Sequence, residues 1–372
     1  MPVAVFGADD RVPVPPQYSA LQEGIGLLIN NRARTVCTAF CVAGDIIATA
    51  AHCLFKTKGE IAPRLADFVF ARNFDRERAL SRIAGHGNGT APQNVLAGSL
   101  RIAVRPPIDA ANDWALIRLA RPVCSRRTLN VQPVPIAALI EHARAQRVFQ
   151  ISYHRDFTHW RPAYSRPCAV ERRFDAADAV LIARDFLNPG DLVLHRCDTG
   201  AGSSGSPVFV DLPDGPAVVG INVGTYVQTR VLMQDGAVTQ RLKPEVIANT
   251  AVAAAAFANK IEGLRNARLL SPGPQLRALQ ERLRERRLYS GPVDGNYGSA
   301  VKAAIEAYEK AAGLPALGLA THAVLVRLNA EGAQLGPEPP IPSPRGSASE
   351  PGGPRLPPPA AAASRPAPVR RD

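Results

Sequence analysis

Gly202-Ser203-Ser204-Gly205-Ser206-Pro207 decides how this 372-residue chain is interpreted, because the glycine-serine run immediately precedes an apolar, strand-like segment. Two earlier segments adjoin similar apolar runs, Thr49-Ala50-Ala51-His52-Cys53 and Asn112-Asp113-Trp114-Ala115-Leu116. A histidine, an aspartate and a serine therefore occur in that order, each beside a predicted strand. Each segment alone would be an ordinary loop or core segment, so the prediction depends on their combination.

These three side chains are the set that activates a serine hydroxyl. A hydroxyl is a poor nucleophile until an imidazole takes its proton, and a carboxylate must hold that imidazole in one tautomer. His52 is the expected base, Asp113 the group that orients it and Ser204 the nucleophile. The N–H groups of Gly202 and Ser204 are expected to form an oxyanion hole, since glycines at 202 and 205 let the backbone bend there.

Short apolar runs separated by turn residues extend outward from these segments, from residue 3 to about residue 231. The turn Pro213-Asp214-Gly215-Pro216 between two such runs is typical. The pattern predicts a mostly β fold, an antiparallel sandwich or barrel, rather than alternating strands and helices. The predicted strands lie at residues 46–48, 114–117, 148–153, 192–194, 207–210 and 218–223.

Together the three segments resemble the motifs of chymotrypsin-like serine proteases, in the family's order, and the Ser-Gly-Ser-Pro ending is similar to the bacterial branch that includes the glutamyl endopeptidases. The resemblance covers residues 3 to 264. It implies two six-stranded antiparallel β-barrels with the catalytic groups between them, and a C-terminal helix packed across one barrel. The implied activity is endopeptidase cleavage of proteins through an acyl-enzyme, with no metal or organic cofactor.

The resemblance also assigns residues to substrate binding, with two departures from the glutamyl endopeptidases. Asn222 stands where their histidine binds the substrate carboxylate, so a preference for glutamate is not expected. Asp198, with its neighbour Thr199, lies where trypsin-like members bind arginine or lysine, and the alternative is that Asp198 caps a strand-end turn. The segment Val223-Gly224-Thr225 is expected to pair with the substrate backbone by β-addition.

Six cysteines permit fifteen full pairings. The family spacing suggests a bridge between Cys37 and Cys53, and a second bridge between Cys168 and Cys197 would brace the loop before the nucleophile. Two cysteines are left over, paired or free, and reduced thiols throughout are the alternative. A zinc site is not expected, because neighbouring residues of a strand point to opposite faces. The leftover pair is Cys41 and Cys124, and the zinc ligands considered are Cys37, Cys41, His52 and Cys53.

The chain changes character after residue 243. Pro244 is suited to a first helical position, and an alanine-rich helix is predicted from there to about residue 264. Three short helices follow, and their residues resemble the peptidoglycan-binding domain of bacterial wall enzymes, with the segment Gly291-Pro292-Val293-Asp294-Gly295 the most characteristic part. Val301, Glu309 and Leu317 depart from that family's usual residues. A purely structural helical appendage is the alternative.

The expected organisation is a protease domain at 1–264, a linker at 265–273, a three-helix domain at 274–330 and a disordered tail at 331–372. Twelve of the 34 prolines lie in that tail, which has too little apolar surface to form a core. No apolar stretch reaches the roughly 18 to 20 residues needed to span a membrane. The first ten residues lack the features of a signal peptide, so either the chain stays inside the cell or its leader has been removed.

The net charge of +12 attracts polyanions of every kind and selects none of them. Because the arginines are scattered, a solvated surface is expected rather than a nucleic-acid site. The sequence thus predicts an exported, monomeric serine endopeptidase held near the cell wall by its C-terminal domain, acting on protein or peptide substrates. The alternative from another class is a catalytically silent wall-binding scaffold protein.

Overall fold

Antiparallel strands are the main regular secondary structure of the described chain as far as residue 253. The computed structural model describes residues 4–55, 63–74, 76, 79–85, 91–100, 106–174, 178–228, 231–234, 237–241 and 245–334. The strands in the described residues are β1 (Val12–Pro13), β2 (Ile25–Asn30), β3 (Thr35–Ala43), β4 (Ile46–Thr49), β5 (Val69–Arg72), β6 (Ala79–Arg82), β7 (Val95–Ala97), β8 (Ala115–Arg118), β9 (Val148–Tyr153), β10 (Pro162–Ser165), β11 (Val170–Glu171), β12 (Leu192–His195), β13 (Pro207–Leu212), β14 (Gly215–Gln228), β15 (Val231–Gln234), β16 (Ala237–Arg241) and β17 (Glu245–Ala253). The helices there are α1 (Ser19–Gln22), α2 (Ile136–Arg144), α3 (Asp178–Asp185), α4 (Ala258–Asn266), α5 (Pro274–Glu285), α6 (Ser299–Ala311) and α7 (His322–Gln334).

The amino-terminal sheet has the strand order β6-β5-β2-β3-β4-β8-β7. Every pairing in it is antiparallel. A bridge between Ile83 and Leu119 joins the continuation of β6 to the end of β8, so the sheet curves back on itself. Its inner face packs large apolar side chains such as Phe40, Phe70 and Ile47, all fully buried.

The second sheet has the order β1-β10-β9-β13-β14-β17-β12-β11. Residues 166–169 connect β10 directly to β11, so one short stretch of chain links opposite sides of the sheet. The two implied barrels therefore appear as two antiparallel sheets, with short strands such as β1 and β11 added to the implied six. The predicted mostly β, chymotrypsin-like architecture is confirmed. Aromatic side chains Phe149, Tyr153 and Phe209 of this sheet join the core of the first sheet, which binds the two halves together.

The prediction of an alanine-rich helix from Pro244 is wrong over its first half. Residues 245–253 form β17, which pairs with β14 on one side and β12 on the other. Two ready strand partners outweigh the modest helix propensity of alanine, which is a weak determinant against tertiary contacts. Pro244 itself lies outside the described residues, and the helix α4 begins only at Ala258.

Helix α4 packs against the amino-terminal sheet and also supports the C-terminal helices. Phe257 and Leu264 are fully buried in the main core, and Leu319 from the connection between α6 and α7 joins the same cluster. The expected linker is ordered against this connection, because Leu269 forms an antiparallel bridge with Thr321 and Leu270 N donates to Ala320 O at 2.9 Å. The helical module therefore contacts the β domain directly.

Helices α5, α6 and α7 enclose a separate small core. Its members are buried apolar residues of the three helices and of the loop after α5: Leu276, Leu279, Leu283, Tyr289, Val301, Ile305, Tyr308, Val324 and Leu328. Helix α7 continues to Gln334, and the remainder of the predicted tail, from residue 335, lies outside the described residues. Among the described helices, none is long and apolar enough to cross a bilayer.

Candidate active site

His52 and Asp113 are brought together by two paired strands. His52 lies in a single 3-10 turn that follows β4, and Asp113 ends another such turn just before β8. Strands β4 and β8 are antiparallel neighbours, with Thr49 opposite Ala115. His52 lies three residues after β4 and Asp113 lies two residues before β8, so the two side chains meet at the same end of the sheet.

Two hydrogen bonds fix the imidazole against the carboxylate. Asp113 Oδ1 accepts from the backbone N–H of His52 at 2.8 Å, and Asp113 Oδ2 lies 2.7 Å from His52 Nδ1. The side chain of Asp113 is 5% exposed and that of His52 is 22% exposed. A carboxylate can only accept, so the proton sits on Nδ1 and the lone pair on Nε2 is available to act as a base.

Ser204 lies in a tight turn between β12 and β13. Gly202 and Gly205, on either side of it, have φ angles of +103° and +85°, which L-residues with a side chain adopt only at a cost. Ser203 O accepts from Ser206 N at 3.0 Å and from Ser206 Oγ at 2.6 Å. These bonds close the turn, and Ser204 itself is 8% exposed.

The turn is held against β3, the strand that pairs with β4 just before His52. Ser204 O accepts from Thr38 N at 2.9 Å, and Gly202 O accepts from Thr38 Oγ1 at 2.8 Å. A Cβ on Gly205 would overlap Thr49 Oγ1 and the carbonyl oxygen of Thr38, and would lie 3.0 Å from Ala50 N. Only glycine permits this approach, which brings the Ser204 turn beside the residues just before His52. Nothing in the sequence distinguished Thr38 from other strand residues.

Asp198 is engaged by the amino-terminal segment, defined here as residues 4–11. Its Oδ1 accepts from Phe6 N at 2.8 Å and its Oδ2 accepts from Asp10 N at 3.0 Å. The residue is 2% exposed. Both carboxylate oxygens thus have backbone donors, which favours the capping alternative over the binding of a basic substrate side chain.

Asn222 is also committed to internal hydrogen bonds. His195 Nδ1 accepts from Cys197 N at 3.3 Å, so its Nε2 carries the proton and donates to Asn222 Oδ1 at 3.2 Å. The other end of the same amide, Asn222 Nδ2, donates to Ser203 O at 3.2 Å. Burial lowers the pKa of His195 to about 4, so the ring stays neutral and keeps this arrangement near neutral pH. The sequence had not singled out His195.

The remaining predicted substrate residues lie beside this turn. Thr199 exchanges both backbone hydrogen bonds with Ala4, at 3.0 and 2.9 Å, and is 3% exposed. Residues 223–225 continue β14, and they pair with β17 on one side. On the other side, β13 pairs with β14 only as far as Ile221. Among the described strands, none therefore pairs with that edge of Val223-Gly224-Thr225.

All six cysteines are paired in the structure. Cys37 is bonded to Cys53, and Cys168 to Cys197, as the sequence suggested. The third bridge joins Cys41 to Cys124, which are 83 residues apart in the chain. The sulfur atoms next to His52 are therefore held in a disulfide and are not thiolates that could bind zinc.

In the helical module, the predicted loop residue Asp294 accepts hydrogen bonds from Asn296 N and Gln280 Nε2, both at 2.9 Å. The bond from Gln280 is the largest cause that lowers the pKa of Asp294 to about 2. Glu309, one of the departures from the family pattern, is buried, and its Oε2 accepts from Leu317 N and Gly318 N at 2.7 Å. Both acidic residues hold loops of the module in place. Tyr289 belongs to the core of the module.

The chain was compared with known proteins. Residues 37–221 match the model of the trypsin-like peptidase domain, and residues 272–328 match that of a peptidoglycan binding domain. No curated protein gives a significant match. A solved structure of a Glu endopeptidase in complex with MPD is 17% identical, with a TM-score of 0.47, over 70% of this chain and 98% of that one. The chain therefore contains a trypsin-like peptidase domain of the chymotrypsin-like serine protease family, followed by a C-terminal peptidoglycan-binding domain.

Proposed function

We propose that Ser204, His52 and Asp113 form the catalytic triad of an enzyme that hydrolyses peptide bonds in proteins. The observation that carries this proposal is the pair of hydrogen bonds that Asp113 accepts from His52, near β3, the strand against which the Ser204 turn is held. The fold alone does not require a carboxylate, an imidazole and a serine in a tight turn where two sheets meet. A nucleophilic serine needs all three.

The reaction proceeds in two halves. His52 Nε2 takes the proton of Ser204 Oγ as that oxygen bonds to the carbonyl carbon, and the carbonyl oxygen becomes an oxyanion that the N–H groups of Gly202 and Ser204 stabilise. His52 then protonates the leaving amine, the C–N bond breaks and an ester to Ser204 remains. In the second half His52 takes a proton from water as the water oxygen attacks the ester carbonyl. The C–O bond to Ser204 then breaks, and His52 returns the proton to Ser204 Oγ as the acid leaves. Each step uses only groups of this chain and water.

The substrate backbone is proposed to lie along Val223-Gly224-Thr225. That edge of β14 has no strand partner among the described residues, and it begins next to the turn that carries Ser204. An extended peptide can add there as an antiparallel strand, with main-chain hydrogen bonds fixing its register. The carbonyl group of the scissile bond would then lie next to Ser204.

We expect cleavage to follow an uncharged residue. Asp198 is buried and both of its oxygens accept backbone hydrogen bonds, and the Asn222 amide is uncharged and bonded to His195 and Ser203. Neither residue therefore presents an accessible charge to a substrate side chain. A peptide library digested by the intact chain and analysed by mass spectrometry tests this. Enrichment of arginine or lysine before the scissile bond would instead assign Asp198 to substrate binding, and enrichment of glutamate would contradict the role given to Asn222.

We further propose that this is an exported enzyme associated with peptidoglycan, with residues 1–264 as the catalytic domain and 274–330 as the wall-binding module. Three disulfides indicate an oxidising compartment, because reducing cytosol keeps thiols free. The match of residues 272–328 to a peptidoglycan binding domain supports the second half of the proposal. The contacts of Leu319 and Leu269 would hold the module in a fixed place on the catalytic domain.

Wall association has a direct test. The intact chain is expected to sediment with purified peptidoglycan sacculi and to be released by soluble muropeptides, because a specific site is saturable whereas attraction of a +12 chain to an anionic polymer is not. The assay is run at about 0.3 M salt, where the Debye length is shorter than at physiological ionic strength and charge attraction is screened. Sedimentation that salt abolishes and muropeptides do not affect would reject the module as a specific tether.

A further inference from the structure

The stretch of chain just before the nucleophile is held in place by the amino-terminal segment. This stretch, residues 198–204, is called the oxyanion loop here. Its Thr199 exchanges two backbone hydrogen bonds with Ala4, and its Asp198 carboxylate caps Phe6 N and Asp10 N. Four hydrogen bonds thus join residues that lie almost 200 positions apart in the chain, at the base of the turn that carries Gly202 and Ser204.

A second segment supports the same loop from another side. His154 Nδ1 accepts from Gly200 N at 3.0 Å, and Arg155 N donates to Ala201 O at 2.7 Å. His154 is 1% exposed, and its Nε2 donates to Ser152 Oγ at 2.8 Å. Burial lowers the pKa of His154 to about 3, so this acceptor stays neutral and in place at ordinary pH. Two hydrogen bonds therefore fix the segment 154–156 to the oxyanion loop.

Arg11 ties these two supports to each other. Its guanidinium donates to Asp156 Oδ2 at 2.7 Å and to Asp156 Oδ1 at 3.2 Å. The same group donates to Asp9 Oδ1 at 2.9 Å and to Asp9 Oδ2 at 2.7 Å. The Arg11 side chain is only 4% exposed, whereas the side chains of Asp9 and Asp156 are 48% and 38% exposed. A buried guanidinium with two bidentate partners has one geometry, which a flexible surface pair lacks.

The ion pair also contacts the oxyanion loop directly. A Cβ on Gly200 would lie 2.8 Å from Arg11 Nη1 and would overlap Asp156 Oδ1. The paired charges therefore pack against the bare backbone of Gly200, two residues before Gly202. A displacement of the pair would be transmitted to the backbone whose N–H groups must meet the developing oxyanion.

We propose that Arg11 is a positioning residue, which sets the oxyanion loop in its working geometry through its ion pair with Asp156. The inference rests on the proposed function and goes beyond it, because it gives catalysis a requirement for the amino-terminal segment. Oxyanion contacts strengthen only as the transition state forms, so misplacement of the loop should lower kcat while the substrate still binds along β14. A purely structural ion pair would change stability without this kinetic signature.

The test uses Arg11→Gln in the intact chain, with a fluorogenic peptide taken from the library digest. We expect kcat to fall about 100-fold, as for a displacement near 1 Å, with KM changed less than about threefold. The rate constant for labelling by a fluorophosphonate probe should fall in parallel. Arg11→Lys should recover part of kcat, because it restores the charge but not the bidentate geometry.

Two further variants separate positioning from folding. Asp156→Asn is expected to lower kcat about 10-fold, and adding Arg11→Gln to it should cost no more than Arg11→Gln alone, since the two act as a unit. Arg144→Gln, which breaks an exposed pair of equal length with Glu141, is the control and should leave kcat unchanged. If Arg11→Gln does not fold, the Asp156→Asn result stands in its place.

The outcomes distinguish this inference from the proposed function. A wild-type chain that cleaves no peptide and accepts no probe would reject the proposed function itself. An active wild type whose kcat is unchanged in both Arg11→Gln and Asp156→Asn would overturn the positioning role of Arg11. So would a loss of activity that only matches the unfolded fraction measured by circular dichroism, because the folded molecules would then retain full kcat.

Discussion

Replacing Ser204 by alanine is expected to lower kcat by about 10⁶-fold and to abolish labelling by a fluorophosphonate probe. The probe loses fluoride only when an activated oxygen attacks its phosphorus, and in the proposed triad that oxygen is Ser204 Oγ. The backbone bond from Thr38 N to Ser204 O does not involve the side chain, so the turn should persist. Peptide hydrolysis and gel fluorescence measure the two losses, and circular dichroism checks the fold.

Ser125→Ala is the matched control, because that hydroxyl is exposed and donates only locally to Pro122 O. Its activity and labelling should equal those of the wild type. Persistent labelling of Ser204→Ala would show that another residue is the nucleophile. A wild type that is folded, binds peptidoglycan and neither hydrolyses peptides nor takes up the probe would support the scaffold alternative instead.

The sequence predicted those parts of the molecule that depend on neighbouring residues. Short apolar runs between turns predicted most of the strands, and two of the motif segments predicted that Asp113 would contact His52. The contact between His52 and Asp113 then follows from strand pairing, because these residues lie just beyond the adjacent ends of the neighbouring strands β4 and β8. Glycine at 202 and 205 was also informative, since a turn with positive φ angles requires it.

What the sequence missed depends on contacts between distant residues. The partners of Asp198 lie 188 and 192 positions away, so no local pattern could show that its carboxylate is already capped. The same holds for Thr38, whose hydroxyl reaches a residue 164 positions along the chain. At residues 245–253 a local pattern was present but predicted the wrong element. Their alanines favour a helix locally, yet β12 and β14 provide partners that make them a strand.

Asp113→Asn is expected to lower kcat by about 10⁴-fold while leaving the chain folded. The amide oxygen can still accept from the His52 backbone N–H, which now bonds to Oδ1. The amide NH₂ would face His52 Nδ1 and donate to it, which moves the ring proton to Nε2. His52 would then present a donor to Ser204 instead of a lone pair, so the hydroxyl could not be deprotonated. Single-turnover hydrolysis of a fluorogenic peptide measures the loss of the chemical step.

This variant tests the tautomer, because geometry and burial change little while one proton changes place. Asp67→Asn is the control, since Asp67 forms a peripheral pair with Arg32 at 3.6 Å, and it should keep wild-type kcat. The slower acylation of Asp113→Asn should also appear as slower fluorophosphonate labelling, because both reactions need the same base. If Asp113→Asn hydrolyses peptides within about tenfold of wild type, His52 must be oriented by another group, and Asp113 would serve only to cap the turn that carries His52.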